Sequence, residues 1–476
     1  MRFPLALTAK IAQHIVKHKV LRTPKFALVL QLEPLHTCNL TCTGCGRIRE
    51  YSTSLKDMMS LEECLGSAQE CEAPMVSICG GEPLIYPKIE ELVVGLLGQK
   101  RIVYVCTNGM FMRRKMRDYL ASIYSPKVEP VLAELLNEKL VTVKEADEIR
   151  TRSKEPKVVI RPTKWMYWNV HIDGLEYTHD LIVEKEGVFK ECVAAIKMAK
   201  ILGYQVATNT TVYKETDVQE IEEMFKFFSS LEVDGHTISP GYEYDAAKKD
   251  MVKRLQKQPE DFFLTRKMTR EKFAKIEEWG QHFTIFGTPV YQEFLSGKRE
   301  LTCTAWAIPT RNVKGWKAPC YLMTDGHYKH YQEMLTEVDW SKYGVVDGVA
   351  RDARCENCMV HCGYDPSGAL GTNYRRGDTW KNIRYNFGTK PKPYTDGKFV
   401  QAFNGVSIGK GHLAEAKAAI NRRNLAMNGI TGVNGVKAPV ATAEPGLPTA
   451  NGCGTGDTQQ RDQLLDRISR NRVASP

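Results

Sequence analysis

Apolar positions in this chain fall into short continuous runs separated by longer stretches with a helical period. The runs at 26–32, 75–79, 102–106, 167–172, 204–211 and 236–239 have the length and the bounding turn residues of strands. Residues 61–71, 89–97, 188–202 and 218–231 between them read as amphipathic helices. Repeated strand–helix units imply an α/β fold with a parallel sheet and helices outside it, because crossover connections are the ordinary way to join parallel strands. Six such units make an incomplete, open (βα)6 barrel rather than a full eight. Ligand chemistry is then expected at the carboxyl ends of the strands.

The pattern also shows what lies around the barrel, expected at 26–245. Residues 3–20 form a basic helical segment within an amino-terminal part expected at 1–25, with Leu5, Ile11, Ala12, Ile15 and Val16 on one side and Lys10, His14 and Lys17 opposite. Such a segment suits either an anionic membrane surface or packing on the protein body. Residues 126–163 interrupt the rhythm and read as an inserted helical hairpin with helices at 131–140 and 143–152. Thr142 and Glu145 form a capping box for the second helix, and the insert is expected to be a surface decoration, although its position also allows a lid. Beyond 245 the rhythm fades, 260–279 reads as a charged surface helix, and a Cys-rich region occupies 246–376. Composition shifts again beyond 377 and from Phe403 is rich in Gly, Asn, Ala and Pro, so 377–476 is expected to be mostly disordered, apart from a short amphipathic stretch at 464–472.

Charge narrows the partners. Of the formal +10, residues 1–32 contribute six Lys/Arg and no acid, and residues 377–476 fourteen Lys/Arg against seven Asp/Glu. The body between is close to neutral, which argues against a nucleic-acid partner. The 14 Cys are not preceded by a secretory apolar segment, and no run is long enough for a membrane span. A reducing cytoplasm is the expected setting, with clustered Cys serving metal or redox chemistry.

Three of those thiols, Cys38, Cys42 and Cys45, are spaced CxxxCxxC just after the first strand. Iron–sulfur clusters are normally held by four thiolates, so a group of three suggests a cubane with one iron left open. A zinc knuckle with a distant fourth ligand, or three buried thiols, has the same spacing. Gly80-Gly81-Glu82-Pro83 follows the second strand: the glycines let backbone approach a ligand, and the acid can accept from an ammonium group.

The two motifs together resemble those of the radical S-adenosylmethionine (SAM) enzymes. That resemblance implies a [4Fe-4S] cluster on Cys38, Cys42 and Cys45, with Gly80, Gly81 and Glu82 at the methionine end of SAM. It also implies Asp173, Asn209 and the turn 239–242 near the ribose and adenine. Cys303, Cys320, Cys355, Cys358 and Cys362 resemble a truncated, SPASM/twitch-like auxiliary-cluster domain, with five candidates for four ligand positions and structural zinc as the alternative.

Within the superfamily, LEPLHTCNLTCTGCG, VSICGGEPL, VYVCTNG, VHIDG, ISPGYEY, GWKAPCYL and CMVHCGY resemble the adenosylhopane synthases of hopanoid biosynthesis. The implied reaction adds a 5′-deoxyadenosyl radical to the terminal alkene of a hopene-type triterpene. A flavodoxin- or ferredoxin-type electron donor and peripheral contact with the inner face of the cytoplasmic membrane would accompany it. The insert and the tail depart from that branch. Addition to an alkene leaves a carbon radical that needs a hydrogen atom. Cys106, at the end of the third strand, is the expected donor if the pleat turns it toward the barrel mouth; otherwise it is a buried apolar thiol. A peptide-maturing auxiliary-cluster enzyme and a non-catalytic iron–sulfur or zinc protein are the alternatives.

Overall fold

The computed structural model describes residues 4–51, 54–152, 158–388 and 391, all within one compact unit. Six parallel strands are paired in sequential order: β1 (Val29–Leu32), β2 (Met75–Ile78), β3 (Ile102–Thr107), β4 (Met166–His171), β5 (Gln205–Val212) and β6 (Gly235–Pro240). This is the expected open α/β barrel. Side chains of one parity, among them Val103, Val105, Trp168 and Val206, pack under the helices in the main core. Those of the other parity face inward, where Ile102, Tyr104, Tyr167 and Ala207 form an apolar floor.

The helices Leu61–Cys71, Ile89–Gly98, Val188–Ile201 and Val218–Ser230 agree with the periodicity to within one residue at their ends. The first begins at a complete capping box, Ser60 with Glu63. The insert forms the helices Glu129–Asn137 and Val143–Thr151, the second capped by Thr142 and Glu145 as expected. It packs against the outer helix Met112–Ser122, with Arg117 paired to Glu145 and Arg113 donating to the Leu140 carbonyl. This packing fits a surface addition to the outer helical layer rather than a lid, and it buries Leu132, Leu135 and Ile149.

The amino-terminal helix, Leu5–Val20, seals the floor of the barrel. Leu7 joins the Tyr104–Tyr167 cluster, His14 Nε2 lies 2.9 Å from the Ala27 carbonyl oxygen, and His18 stacks on Phe26. The expected single apolar face is split. Ile11 and Ile15 face inward beside His14, whereas Leu5 and Val16 are exposed on the opposite side.

Past β6 the sheet continues. β7 (Thr310–Asn312) pairs parallel with β1, and β8 (Gly315–Pro319) and β9 (Thr324–Tyr328) add antiparallel, giving nine strands in the order β6-β5-β4-β3-β2-β1-β7-β8-β9. The expected surface helix at 260–279 is corrected to two shorter ones, Arg266–Lys272 and Ile276–His282, because Phe262, Phe263 and Leu264 are buried and Thr265 caps a fresh start. The expected disorder from 377 is corrected at its beginning: Asp378–Phe387 is a helix anchored by buried Asp378 on Arg299 at 2.8 Å. The stretch 464–472 lies outside the described residues.

Candidate functional site

The three-Cys loop leaves β1 at the barrel mouth and is held from several sides. Thr43 donates its backbone N–H to the Ile182 carbonyl (2.8 Å) and its hydroxyl to Glu184 (2.8 Å), and Arg254 bridges Glu184 and the Thr41 carbonyl. Gly44 has φ +79°, and a Cβ there would lie 2.5 Å from the Phe262 ring, so the turn between Cys42 and Cys45 requires glycine. Cys38, Cys42 and Cys45 lie within one another's electrostatic reach. Burial pushes the Cys38 thiol up to about 12 and Cys42 well above the ordinary range. The Leu40 N–H (3.5 Å) and the Asn108 amide (3.8 Å) point at Cys38 Sγ. Thiols this reluctant to ionise become thiolates when a metal centre supplies the compensating charge, and N–H groups aimed at sulfur stabilise the ligated form. The set fits an iron–sulfur cluster.

The GGE segment sits directly beneath that loop. Gly81 N–H donates to the Leu35 carbonyl (3.1 Å) and Glu82 N–H to the Thr37 carbonyl (2.9 Å). A Cβ on Gly80 or Gly81 would stand 2.3 Å from the Leu35 oxygen or 2.1 Å from the Thr37 oxygen. The close approach required of the glycines is therefore to the cysteine loop itself. Glu82 is buried and accepts from Thr107 Oγ1 (2.7 Å), Asn108 N–H (2.8 Å) and Leu84 N–H (3.0 Å). Burial pushes its carboxyl up to about 7 against the pull of these three donors. It clips the ends of β2 and β3 together under the cluster loop.

Asp173 is fully buried past β4. One oxygen accepts from the Thr211 N–H (2.7 Å), and the other lies 2.9 Å from His171 Nε2. Burial pulls the His171 imidazole down, but Asp173 outweighs it and the pKa is raised. Asn209 stands in register between His171 and Thr237 on the neighbouring strands, half-buried. These residues share the mouth with Cys42, on which Asp173 acts electrostatically. The turn 239–242 lies between them and the Cys-rich region: Ser239 is in register with Thr211, which holds Asp173, while its Oγ pairs with His361 Nδ1 at 2.5 Å and Tyr242 packs with Cys362 and Val360.

Cys106 has the inward parity. It is in register with Asn169, whose amide lies 3.4 Å from Sγ, and Ser77 Oγ is 3.1 Å away. These three form a polar layer above the Tyr104–Tyr167 floor. Burial raises the Cys106 pKa, so sulfur keeps its hydrogen.

Cys303, Cys320, Cys355, Cys358 and Cys362 all line one cavity, with Tyr242 and Trp306 beside them. Burial raises every one of these thiols, Cys355 to about 11 and Cys358 to about 12. Among the described residues no three His, Cys, Asp or Glu side chains meet as ligands of a single metal ion.

The sequence reading missed the network joining the two cysteine sets. Glu33 and His36 are buried and paired at 3.1 Å. Arg47, two residues past Cys45, pairs with Glu50 (2.5 Å), donates to the Tyr321 carbonyl next to Cys320 and stacks on the Tyr321 ring at 3.8 Å. Lys317, buried in β8, reaches Glu50 (2.7 Å) and the same carbonyl (2.9 Å). Burial alone would raise the Glu33 carboxyl, but Arg47, His36 and Lys317 hold it at about 2. A signal was present: Gln31 and Glu33 are the polar inward positions of an otherwise apolar β1 segment.

Residues 32–130 match the Radical SAM superfamily, and residues 236–382 match a family described as a domain of unknown function (DUF3463). No curated protein matches the chain. Among solved structures, Streptococcus suis SuiB bound to precursor peptide SuiA is 13% identical over 73% of each chain, with a TM-score of 0.44. Native anSMEcpe with bound AdoMet and Cp18Cys peptide is 14% identical over 76% of this chain and 97% of that chain, with a TM-score of 0.42. Two further SuiB structures are matched over 42% and 62% of their length. The chain carries a radical SAM domain, whose cofactors are SAM and a [4Fe-4S] cluster.

Proposed function

Since the Cys38–Cys45 loop belongs to a radical SAM domain, we propose that the chain is an adenosyl transferase that joins the 5′-deoxyadenosyl group of SAM to the terminal alkene of a hopene-type triterpene. Cys106 is the hydrogen-atom donor that completes the product. The observation that carries this reading is the inward position of Cys106, protonated and hydrogen-bonded in the barrel interior beside Ser77 and Asn169. A hydrogen-abstracting enzyme that oxidises its substrate needs no such donor for its product. The substrate class rests on the resemblance of the sequence stretches to those of the adenosylhopane synthases.

In this reading Cys38, Cys42 and Cys45 hold the cluster, and Gly80, Gly81 and Glu82 shape the methionine end of the SAM site. Asp173 and Asn209 serve the ribose. When bound, the cluster and SAM supply the 5′-deoxyadenosyl radical on one-electron reduction. Cys106 then gives S–H hydrogen to the carbon radical left by addition. The resulting thiyl returns to thiol by taking up one proton and one electron, the latter from a flavodoxin- or ferredoxin-type donor. Four of the five carboxy-terminal thiols hold a second iron–sulfur cluster.

Anaerobic reconstitution followed by incubation with SAM, reductant and hopene tests the whole reading. A product with the mass of hopene plus adenosyl plus one hydrogen is expected. Free 5′-deoxyadenosine with unchanged hopene would overturn it.

A further inference from the structure

A cavity of about 870 Å³ lies away from the chemistry, at the amino ends of the strands. It runs between the amino-terminal helix, the helix Ile89–Gly98 and the segment entering β4. Val94, Leu97, Val158 and Trp165 give it an apolar lining, with Val94 45% and Val158 44% exposed. Lys10, Lys100 and Arg161 stand along it, and among the described residues no acidic side chain lines it and none of the three has an ion pair. Lys10 feels Arg101 and Lys100 as neighbouring cations, so positive charge is concentrated along the groove.

The adjoining face of the amino-terminal helix is unusual in the same direction. Leu7, Ile11, His14 and Ile15 turn inward, while Leu5, Ala9, Ala12, Val16 and Val20 recur at helical spacing on the opposite side, all exposed. Leu5 is 53%, Val16 58% and Val20 74% exposed. An apolar stripe turned to solvent beside an apolar groove with a cationic rim makes a single amphipathic surface. Among the described residues no helix is long and apolar enough to cross a membrane, so contact at this face would be interfacial.

We infer that this surface docks on an anionic bilayer, with one anionic phospholipid in the groove, its headgroup among Lys10, Lys100 and Arg161 and its acyl chain along Val94, Leu97 and Trp165. Charge complementarity selects this occupant: a neutral lipid leaves three cations unpaired, and an anionic protein surface does not fill an apolar channel. The barrel mouth would then face away from the bilayer or along it, so substrate delivery is a separate matter and the inference stands without the proposed reaction.

The test is co-sedimentation of the full chain with phosphatidylcholine vesicles, with and without phosphatidylglycerol. Wild type should bind only the phosphatidylglycerol vesicles. Combined Lys10→Glu, Lys100→Glu and Arg161→Glu should weaken partition by roughly fivefold for each charge removed. A control reversing exposed Lys56, Lys127 and Lys329 has the same net charge and should bind as wild type. Leu5→Ser with Val16→Ser should weaken binding at unchanged charge. Equal binding to both vesicle types, no binding to either, or equal loss in the control and the groove variant would each overturn the site, and unchanged circular dichroism melts keep the variants comparable.

Discussion

The Cys106 thiol lies 3.1 Å from the Ser77 hydroxyl, one strand away on the same inward face of the sheet. A thiol so placed, kept protonated by burial, exchanges its hydrogen with solvent but is not a nucleophile at neutral pH. If Cys106 finishes the product, turnover in D2O should leave one deuterium on a carbon that does not exchange. Cys106→Ser should keep SAM cleavage while losing that deuterated product, read by mass spectrometry. A serine variant that made the same labelled product at the wild-type rate would remove Cys106 from the reaction.

Lys317 and Glu50 join the carboxy-terminal strands to the cluster loop through a buried pair at 2.7 Å. Burial lowers the Lys317 pKa, so the ammonium depends on its acid and on the Tyr321 carbonyl. Removing the lysine takes away one of the two cations on Glu50, since Arg47 still pairs with it at 2.5 Å, so the cost lies below the roughly 3–5 kcal/mol of a buried charge left wholly alone. Lys317→Met should therefore lower the urea midpoint measurably. Combined with Glu50→Gln the loss should be smaller than the sum of the two single losses, and strict additivity of the two variants would show that they are not coupled.

What the sequence made legible follows from locality. The inner six strands are carried by local apolar runs, the Ser60 and Thr142 caps by residues three apart, and the cluster loop by a motif of eight residues. β7 to β9 are different: Thr310–Asn312 is three residues long and polar, and becomes a strand because β1 has an open edge beside it, a non-local fact. Lys317 was unreadable for the same reason, since a lysine in a strand signals solvent unless the acid that receives it is known. The phase of Cys106 needed the register with Asn169. The two-faced amino-terminal helix was misread because its apolar residues serve two surfaces, and a single wheel projection merges them.

Glu82 accepts three hydrogen bonds with two oxygens, and this gives its amide variant a defined cost. In Glu82→Gln the NH2 group must face either the Asn108 N–H or the Thr107 and Leu84 donors, so at least one buried donor loses its acceptor. A loss of about 1–3 kcal/mol in the stability of the protein without SAM is expected. Chemical denaturation of the SAM-free chain measures it. Unchanged stability combined with weakened SAM binding would instead assign the carboxylate wholly to the cofactor.

His236 supplies a pH dependence that has nothing to do with the site. It is 1% exposed on the outer face of β6, with Thr208 Oγ1 2.7 Å from Nδ1 and Ser229 Oγ 3.1 Å from Nε2. Burial alone pulls its pKa down from 6.5 to about 3. Above the unfolded value the ring is neutral in both states and pH has no effect through it. Below that value the unfolded chain takes up a proton that the folded chain refuses, so stability falls as pH drops from the unfolded pKa toward the folded one. By about pH 5 the cost through this one residue is about 2 kcal/mol. Melting of wild type should therefore shift downward between about pH 7.5 and about pH 5, and the shift should be smaller in His236→Gln, which cannot titrate. Equal shifts in the two proteins would mean that His236 is protonated in the folded state and that its hydroxyl partners reorient to accept from both ring nitrogens.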